Sequence, residues 1–283
     1  MADSLFELKK DYYLGNFQSC VNKANSMPSC AESYFYMCLS YCHLKKYDIL
    51  ELEVSKSEDT CVQLVGMLAS YIKNERERDG IVRRIDSMLE DMSIDPKDEL
   101  SRLAISAIYS HHNQYAKALG VLHGLDSLVV LHAVVQILIK IDRLDIAERR
   151  VSAMQNKDDY ATLTMLALAQ LRLVNGNPKE ARDIASELEE KYRATPLLKN
   201  LQTAACICDG DYEAAKEHCE SSLDMDNENL EGLINLVHIQ TKLHVSAEIR
   251  DRNYKRLQVL YPNNEYVKEN ERLRSELRAE LSA

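Results

Sequence analysis

The sequence predicts an all-α protein, a right-handed α-solenoid of about eight helix–turn–helix repeats closed by a C-terminal helix. Two observations lead to this prediction: turn-forming residues are scarce, and one local motif recurs at a fixed spacing. The 283 residues include only 8 Gly and 5 Pro, whereas a sheet protein of this length needs many tight turns built from those residues. Abundant Leu, Ala, Glu, Lys and Arg favour helices joined by short loops.

The recurring motif is a turn residue, an aromatic or apolar residue two positions later, and a small residue three positions after that. It occurs at 142–147, 176–181 and 210–215, so that the turn residues lie 34 positions apart. A helix–turn–helix unit of 34 residues is typical of tetratricopeptide repeats. The expected turn positions along the whole chain are 15, 45, 79, 113, 142, 176, 210 and 244.

The prolines support the same division into repeats. Pro28, Pro96, Pro196 and Pro262 fall where one unit should end and the next begin. Pro178 falls in the first turn of a second helix, where the missing N–H breaks no helical hydrogen bond. We therefore expect helix boundaries at all five prolines.

We expect a single solenoid domain over residues 1–283, because no linker-like segment interrupts the chain. A shortened unit predicts a bend near 120–127, after which Asp126 or Ser127 should cap the next helix. Residues 265–283 should form a charged helix that caps the last repeat. Its apolar stripe at helical spacing is Leu273, Leu277 and Leu281.

The charge balance excludes several classes of partner. There are 35 Lys+Arg against 45 Asp+Glu, a formal charge of −10. An acidic chain binds nucleic acid and anionic lipid poorly. The first residues lack the pattern of a secretory signal, and no apolar run reaches the roughly 20 residues of a membrane span. We expect a cytosolic protein whose eight cysteines are thiols.

Cysteine and histidine clusters are the candidates for chemistry. They are Cys38-x3-Cys42-His43, Cys206-x-Cys208 and His218-Cys219. A structural zinc site needs four ligands, and these clusters lie on predicted helices of different repeats. We interpret them as core thiols and expect no metal and no cofactor. Phosphate-binding loops and nucleophile motifs do not occur, so we expect no enzymatic activity.

The predicted binding surface is the concave groove that the first helices of a solenoid line, where an extended or helical peptide binds. Repeat positions 2, 5, 9, 12 and 13 face this groove in tetratricopeptide arrays. The alternative role for each such side chain is packing between neighbouring repeats. The expected partner-binding residues are His132, Gln136, Ile139, Leu166, Gln170, Leu173, Asn200, Ile207, Ile234, His238 and Thr241.

Two other functions remain as alternatives. The first is a peptide-binding tetratricopeptide adaptor or co-chaperone, which holds an acidic C-terminus with Lys, Arg and Asn side chains. At the corresponding positions this chain has Leu5 with Lys9, and Asn200 with Ala204, so the carboxylate clamp is incomplete. The second is an enzyme that uses a cysteine or a metal.

Several segments resemble one known family along the whole chain. They are residues 5–24, 135–150, 159–164, 210–216 and 233–236. Together they resemble the coatomer epsilon subunit family, and the region from 135 to 164 is the most specific because other tetratricopeptide repeats do not share it. Tyr212 stands where some family members have Trp, a conservative difference.

The resemblance implies a non-catalytic structural subunit of the COPI vesicle coat, acting in retrograde Golgi-to-ER and intra-Golgi transport. It implies that the chain binds and stabilises the C-terminal domain of the coatomer alpha subunit, as a heterodimer within the heptameric coat. It also implies a cytoplasmic protein, peripheral on Golgi membranes and COPI-coated vesicles, with only indirect membrane contact. No contact residues follow from the resemblance.

Overall fold

The computed structural model describes residues 2–28 and 30–282, which form 17 α-helices and no strand. The predicted all-α solenoid is confirmed. The helices are α1 (Ala2–Tyr13), α2 (Phe17–Ser26), α3 (Ala31–His43), α4 (Tyr47–Lys56), α5 (Thr60–Lys73), α6 (Arg78–Glu90), α7 (Glu99–His111), α8 (Tyr115–Leu122), α9 (Leu128–Lys140), α10 (Leu144–Lys157), α11 (Thr162–Val174), α12 (Pro178–Tyr192), α13 (Pro196–Asp209), α14 (Tyr212–Met225), α15 (Leu230–Lys242), α16 (Ala247–Leu260) and α17 (Glu265–Ser282).

The helices follow one another as eight pairs and a final helix, α17. Seven of the eight predicted turn positions lie between the two helices of a pair, and each has a left-handed backbone with φ between 53° and 82°. This conformation stops the first helix and turns the chain into the second. The seven residues are Gly15, Lys45, Asn113, Asp142, Gly176, Gly210 and His244.

The same hydrogen bond closes each of these turns. The N–H after the left-handed residue donates to the carbonyl five positions earlier, as in Asn16 to Asp11 at 2.8 Å and Asn177 to Arg172 at 2.9 Å. Across all seven turns the N···O distance is 2.8–3.0 Å. Each bond satisfies one of the carbonyls that a helix end leaves without a partner.

The small residue of the motif is buried, as expected for a position at which a neighbouring backbone approaches closely. Cys20, Ala118, Ala147, Ala181 and Ala215 each lie five positions after a left-handed residue, and each has no exposed surface. A small side chain at this position lets a neighbouring backbone approach closely. The repeat motif therefore encodes both the turn and the contact that follows it.

The third pair is the exception, and the turn predicted at position 79 is wrong. Helix α6 already includes Asp79 and Gly80, and α5 ends one turn earlier than expected, at Lys73. The connection is Asn74 followed by a short 3-10 turn, and the Asn74 side-chain oxygen accepts a hydrogen bond from the Arg76 N–H. A side-chain cap replaces the left-handed residue there.

The other helix starts agree with the sequence. Pro178 and Pro196 are the first residues of α12 and α13. Ser127, rather than Asp126, caps α9, because its hydroxyl oxygen accepts a hydrogen bond from the Val130 N–H at 3.2 Å. The Asp126 carboxylate pairs instead with the Lys157 ammonium at 2.8 Å.

The chain divides into two compact units, Met1–Leu171 and Arg172–Ala283. In the first unit the largest core draws buried side chains from α1 to α9, most of them from α3, α5 and α7, and it includes Tyr36 and Tyr109. In the second unit a smaller core surrounds Cys206, and another joins α15 to α16 and α17. The expectation of a single domain stays a prediction.

The final helix, α17, packs against the last pair of helices near its start. Val267 is buried beside Leu233 and Tyr254, and the Arg274 guanidinium lies 4.1 Å from the centre of the Tyr254 ring. The apolar stripe of α17 faces solvent. The exposed fractions of Leu273, Leu277 and Leu281 are 45%, 58% and 88%.

Two glycines four positions apart should respond oppositely to alanine. Gly124 has φ +85° and Gly120 lies inside α8, and an added Cβ would meet nothing within 4 Å at either. Gly124→Ala should lower the free energy of unfolding by about 1 kcal/mol, because a side chain disfavours the left-handed backbone. Gly120→Ala should raise it by about 0.5–1 kcal/mol. Urea denaturation of both variants measures the change in the free energy of unfolding. Changes of the same sign would contradict the different backbone conformations of Gly120 and Gly124.

Candidate partner-binding groove

The first unit contains an apolar groove with a volume of about 480 Å³. Most of its lining comes from the first helices of five successive pairs, α1, α3, α5, α7 and α9, which is where a solenoid binds peptides. We call it the aromatic groove. Its lining includes Tyr12, Tyr13, Phe35, Tyr36, Leu39, His43, Leu68, Ile72, Leu103, Ala107, His111, Val129, His132 and Ala133.

Three tyrosines pack together in the lining of this groove, and Tyr36 among them has only 1% of its surface exposed. The Tyr36 ring contacts the rings of Tyr12 and Tyr13 edge to face, with centroids 5.1 and 5.8 Å apart. The Tyr13 and Tyr36 hydroxyls hydrogen-bond each other at 2.6 Å. Tyrosine offers a large apolar ring with a polar tip, the combination that protein interfaces favour.

Three histidines complete the lining. His43 stacks on the Phe17 ring at 4.3 Å, and its Nε2 lies 3.3 Å from the Tyr12 hydroxyl. Burial among the surrounding helices, together with His111, holds the pKa of His43 down to about 4. Burial also lowers the pKa of His132 to about 4 and that of His111 below its ordinary value. At neutral pH these imidazoles are uncharged.

The His43 side chain is reached by water yet behaves as a desolvated group. It is exposed at the surface, whereas its lowered pKa reflects the many protein atoms around it. Both observations fit a group inside a groove, where one side is open and the others are protein. The aromatic groove is thus a weakly polar surface that can accept apolar or neutral polar side chains.

The structure places one predicted binding residue, His132, in the aromatic groove. Gln136 and Gln170 hydrogen-bond each other across one repeat length. Ile139 packs against the core around Val135, and Leu166 has only 3% of its surface exposed. In the isolated chain Gln136, Gln170, Ile139 and Leu166 therefore contribute mainly to packing within the first unit.

The predicted residues of the second unit are placed differently. Asn200 has 4% of its surface exposed and donates a hydrogen bond to Asn229 Oδ1 at 2.7 Å, linking α13 to the start of α15. The remaining residues keep more surface: Leu173, Ile207 and Ile234 are half-buried, whereas His238 and Thr241 are exposed.

Sequence reasoning missed most of the aromatic groove because it looked at the middle and late repeats. A signal was available, since nine of the 15 Tyr precede residue 130. Tyr12 and Tyr36 lie on the first helices of the first two pairs. Aromatic residues concentrated on first helices would have indicated the early repeats.

The cysteine clusters are mostly core thiols. Cys38, Cys42, Cys206 and Cys219 are buried, and burial raises the pKa of Cys38 and Cys219 to about 12. Cys208 is exposed, so the core-thiol interpretation is wrong for that residue. Residues two positions apart on a helix point to different faces, and Cys206 takes the inner one.

Within residues 2–28 and 30–282, no three His, Cys, Asp or Glu side chains are grouped to hold a metal ion. In the same residues, every helix is too short or too polar to cross a bilayer.

Eight helical pairs with a recurrent left-handed turn define a tetratricopeptide-like α-solenoid. Solved structures share this fold. A tetratricopeptide repeat protein from Parabacteroides merdae aligns with a TM-score of 0.63 at 13% identity, covering 94% of this chain and 97% of its own. A chain of an APC/C hetero-tetramer aligns with a TM-score of 0.64 at 10% identity, covering 93% of this chain and 54% of its own.

Sequence comparison identifies the family. The family model of the coatomer epsilon subunit matches residues 1–278. Coatomer subunit epsilon of Dictyostelium discoideum is 30% identical, covering 94% of this chain and 93% of the relative. Coatomer subunit epsilon-2 of Arabidopsis thaliana is 32% identical, covering 94% and 92%. The chain belongs to the coatomer epsilon subunit family, and it is a subunit of the COPI coat.

Thiol reactivity should follow the burial of the cysteines. Cys30 and Cys208 are exposed and the other six cysteines are buried. Because buried thiols with raised pKa values react slowly, we expect a disulfide reagent to modify two thiols rapidly in the native chain and all eight after denaturation. Rapid modification of more than two thiols in the native chain would contradict the burial of the other six cysteines.

Acid should destabilise the first unit through His132. Its pKa is about 4 when folded and 6.5 ordinarily, so between these pH values the unfolded chain binds the additional proton. Stability is therefore lost as pH falls from 6.5 towards 4, by on the order of 3 kcal/mol for this residue. Nδ1 of His132 has no hydrogen-bond partner among the described residues, which makes His132→Gln a suitable variant. Its unfolding free energy should depend less on pH; an unchanged dependence would contradict the prediction.

Proposed function

We propose that the chain is a non-catalytic structural subunit that binds and stabilises the C-terminal domain of the coatomer alpha subunit. The observation that carries this proposal is the aromatic groove, in which the half-buried Tyr12 and Tyr13, with the buried Tyr36 packed against them, line the same space as three neutral imidazoles. Membership of the coatomer epsilon family supports a partner within the coat. An aromatic surface of this kind suits a lasting contact with a protein segment.

The electrostatics favour apolar recognition. The chain carries a net charge of −10, but the centre of the groove has hydroxyls and neutral imidazoles. Salt screens exposed charges and affects apolar contacts much less. The proposed complex should therefore withstand high ionic strength.

The proposal extends to the predicted residues of the second unit. His238 and Thr241 are exposed on α15, where a partner can reach them. His238 lies 6.4 Å from the Tyr212 ring, measured between ring centres. We propose these side chains as a second, smaller contact with the same domain.

The setting of the proposed function is also a proposal. We infer a cytoplasmic subunit, peripheral on Golgi membranes and COPI-coated vesicles, which reaches the membrane through the rest of the coat. We propose retrograde Golgi-to-ER and intra-Golgi transport as its routes, and membership of the coatomer epsilon subunit family supports a role in the coat.

Two isoleucines with similar exposure provide a matched test. Ile72 lines the aromatic groove and Ile49 lies outside it on α4, with exposed fractions of 39% and 42%. Ile72→Glu should weaken binding of the proposed alpha-subunit domain at least tenfold, because it would bury an unpaired carboxylate in the interface. Ile49→Glu should bind like the unmodified chain.

The measurement is co-expression with the alpha-subunit domain, then size-exclusion chromatography with mass determination and titration calorimetry. Circular dichroism checks that both variants fold. A stable 1:1 complex that survives high salt, and that Ile72→Glu alone disrupts, is the expected result. Two separate peaks would reject the proposal. Tight binding of short acidic C-terminal peptides would support the adaptor alternative.

A further inference from the structure

A second and larger concavity lies on the other side of the first unit, with a volume of about 750 Å³. Its floor is α5 and its two rims are α4 and the start of α6. Each helix contributes one stripe, from Tyr47 to Ser55 on α4, from Gln63 to Lys73 on α5, and from Arg76 to Arg84 on α6 with the turn before it. We call this concavity the outer trough.

The irregular third pair lies at the outer trough. On the α4 side the packing is tight, since a Cβ added to Gly66 would lie 2.9 Å from Val54 Cγ1. On the α6 side, a Cβ added to Gly80 would meet nothing within 4 Å. The capped Asn74 turn, which replaces the left-handed turn, thus starts α6 with an open face towards the trough.

The outer trough has the dimensions of a helix. Its lining residues recur at intervals of three and four along each of the three helices, so three helical faces run side by side. The floor from Gln63 to Lys73 extends for ten residues, or about 15 Å at 1.5 Å per residue. That length accommodates roughly three turns of a docked α-helix.

The trough and the aromatic groove use opposite faces of α5. Met67 and Ser70 line the trough, whereas Leu68 and Ile72 line the groove. At 100° per residue these two pairs point in roughly opposite directions. The two concavities are thus separate on α5, and they share one lining residue, Tyr47 at the start of α4.

The two rims of the trough differ in charge. Arg76 and Arg84 lie eight residues apart on the α6 side, and within the described residues neither forms an ion pair with a carboxylate. On the α4 side, Glu51 pairs with Lys73 at 3.3 Å. Glu77 also lines the α6 side, and its carboxylate accepts a hydrogen bond from the Asn74 side chain at 2.7 Å. A helix with an acidic flank towards Arg76 and Arg84 and a basic flank towards Glu51 therefore complements the trough.

Helix α17 has this pattern. Its exposed stripe of leucines extends from Leu273 to Leu281, about 12 Å along the helix axis. On a helical wheel, Glu276 and Glu280 flank the stripe on one side, and Arg278 flanks it on the other. The Arg272 guanidinium pairs with the Glu276 carboxylate at 2.7 Å. Arg272 lies on the side of Glu276 that is further from the leucine stripe.

We infer that the outer trough binds helix α17 of a second copy of this chain. The leucine stripe lies on the floor of the trough, Glu276 and Glu280 face Arg76 and Arg84, and Arg278 faces Glu51. The contact is heterologous, because it joins two different surfaces, so each bound copy keeps one unused trough or one unused helix. Further copies can therefore add.

The first experiment is sedimentation velocity of the full chain over a hundredfold range of concentration. The weight-average mass should rise reversibly above the 32.3 kDa of one chain, through dimers to larger species. A mass that stays at one chain throughout would overturn the inference. In that case the occupant of the trough would be another protein or the α17 of the same chain.

Two variants test the surfaces separately. Gly80→Leu fills the open side of the trough and keeps α17 intact, whereas Leu277→Glu breaks the stripe and keeps the trough intact. Each variant alone should remain a monomer. Mixed together they should form a 1:1 dimer that grows no further, because only one trough and one helix are usable. No dimer in the mixture, or association of either variant alone, would overturn the inference.

Charge reversal provides a matched control. Arg84→Glu should weaken self-association at least tenfold, and a chain that carries both Arg84→Glu and Glu280→Lys should regain it, because the reversed charges then face each other. Arg83→Glu makes the same change on the adjacent residue, which is exposed and outside the trough lining, and should associate normally. Equal effects of the two arginine variants would contradict the geometry.

The inference and the proposed function can fail independently. Gly80→Leu lies outside the aromatic groove and should bind the alpha-subunit domain with unchanged affinity. Ile72→Glu should lose that domain and still self-associate. A loss of self-association in Ile72→Glu would show that the two surfaces are not separate.

Discussion

The left-handed turn is the constraint on which the rest of this structure depends. A single residue with positive φ ends the first helix of a pair, and one hydrogen bond to the carbonyl five positions back fixes the direction in which the second helix starts. Five residues later a small side chain such as Ala147 or Ala181 is fully buried. Direction and distance are both set within six residues, which is why a short motif can build a solenoid.

Only three of these turns use glycine. Lys45, Asn113, Asp142 and His244 hold a conformation that an L side chain adopts at a cost of about 1–2 kcal/mol. The packing of the flanking helices must exceed that amount, since the turns keep the same hydrogen-bond length as the glycine turns. Tertiary contacts thus maintain the period where the local sequence does not favour it.

The aromatic groove depends on this regular geometry. Because each pair starts its first helix in an equivalent direction, side chains from α1, α3, α5, α7 and α9 reach one surface. Residues distant in sequence, such as Tyr13 and His132, come within 6.5 Å between ring centres. No Asp or Glu is among the described residues that line the aromatic groove, so the groove stays weakly polar although the chain has a net negative charge.

The sequence predicted the helices better than the surfaces. The 34-residue spacing, the prolines and Ser127 located nearly every helix end, because turns and caps are determined by a few adjacent residues. The Asp79-Gly80 pair was misleading, since an aspartate and a glycine mark a turn in isolation but here continue α6 after the Asn74 cap. Both Asn74 and the Asp79-Gly80 pair are local turn signals, and the packed structure shows that the turn occurs at Asn74.

Binding residues were harder to predict for a different reason. Repeat positions indicate which face of a first helix points inward, but not where neighbouring helices leave open space. Leu166 and Asn200 occupy such positions and are buried by their neighbours, whereas His43 and Ile72 keep exposed surface beside a cavity. The difference arises from side-chain volumes in adjacent repeats, and a single motif does not contain that information.

Helix α6 buries fewer side chains than α5 and α7, the helices that precede and follow it in the chain. It buries only Val82 and Ile85, and an exposed glycine lies in its first turn. Few buried contacts mean a small free energy of local opening. In hydrogen-exchange measurements the amides of α6 should therefore exchange before those of α5 or α7, and the cooperative folding of the first unit should be interrupted at its third pair.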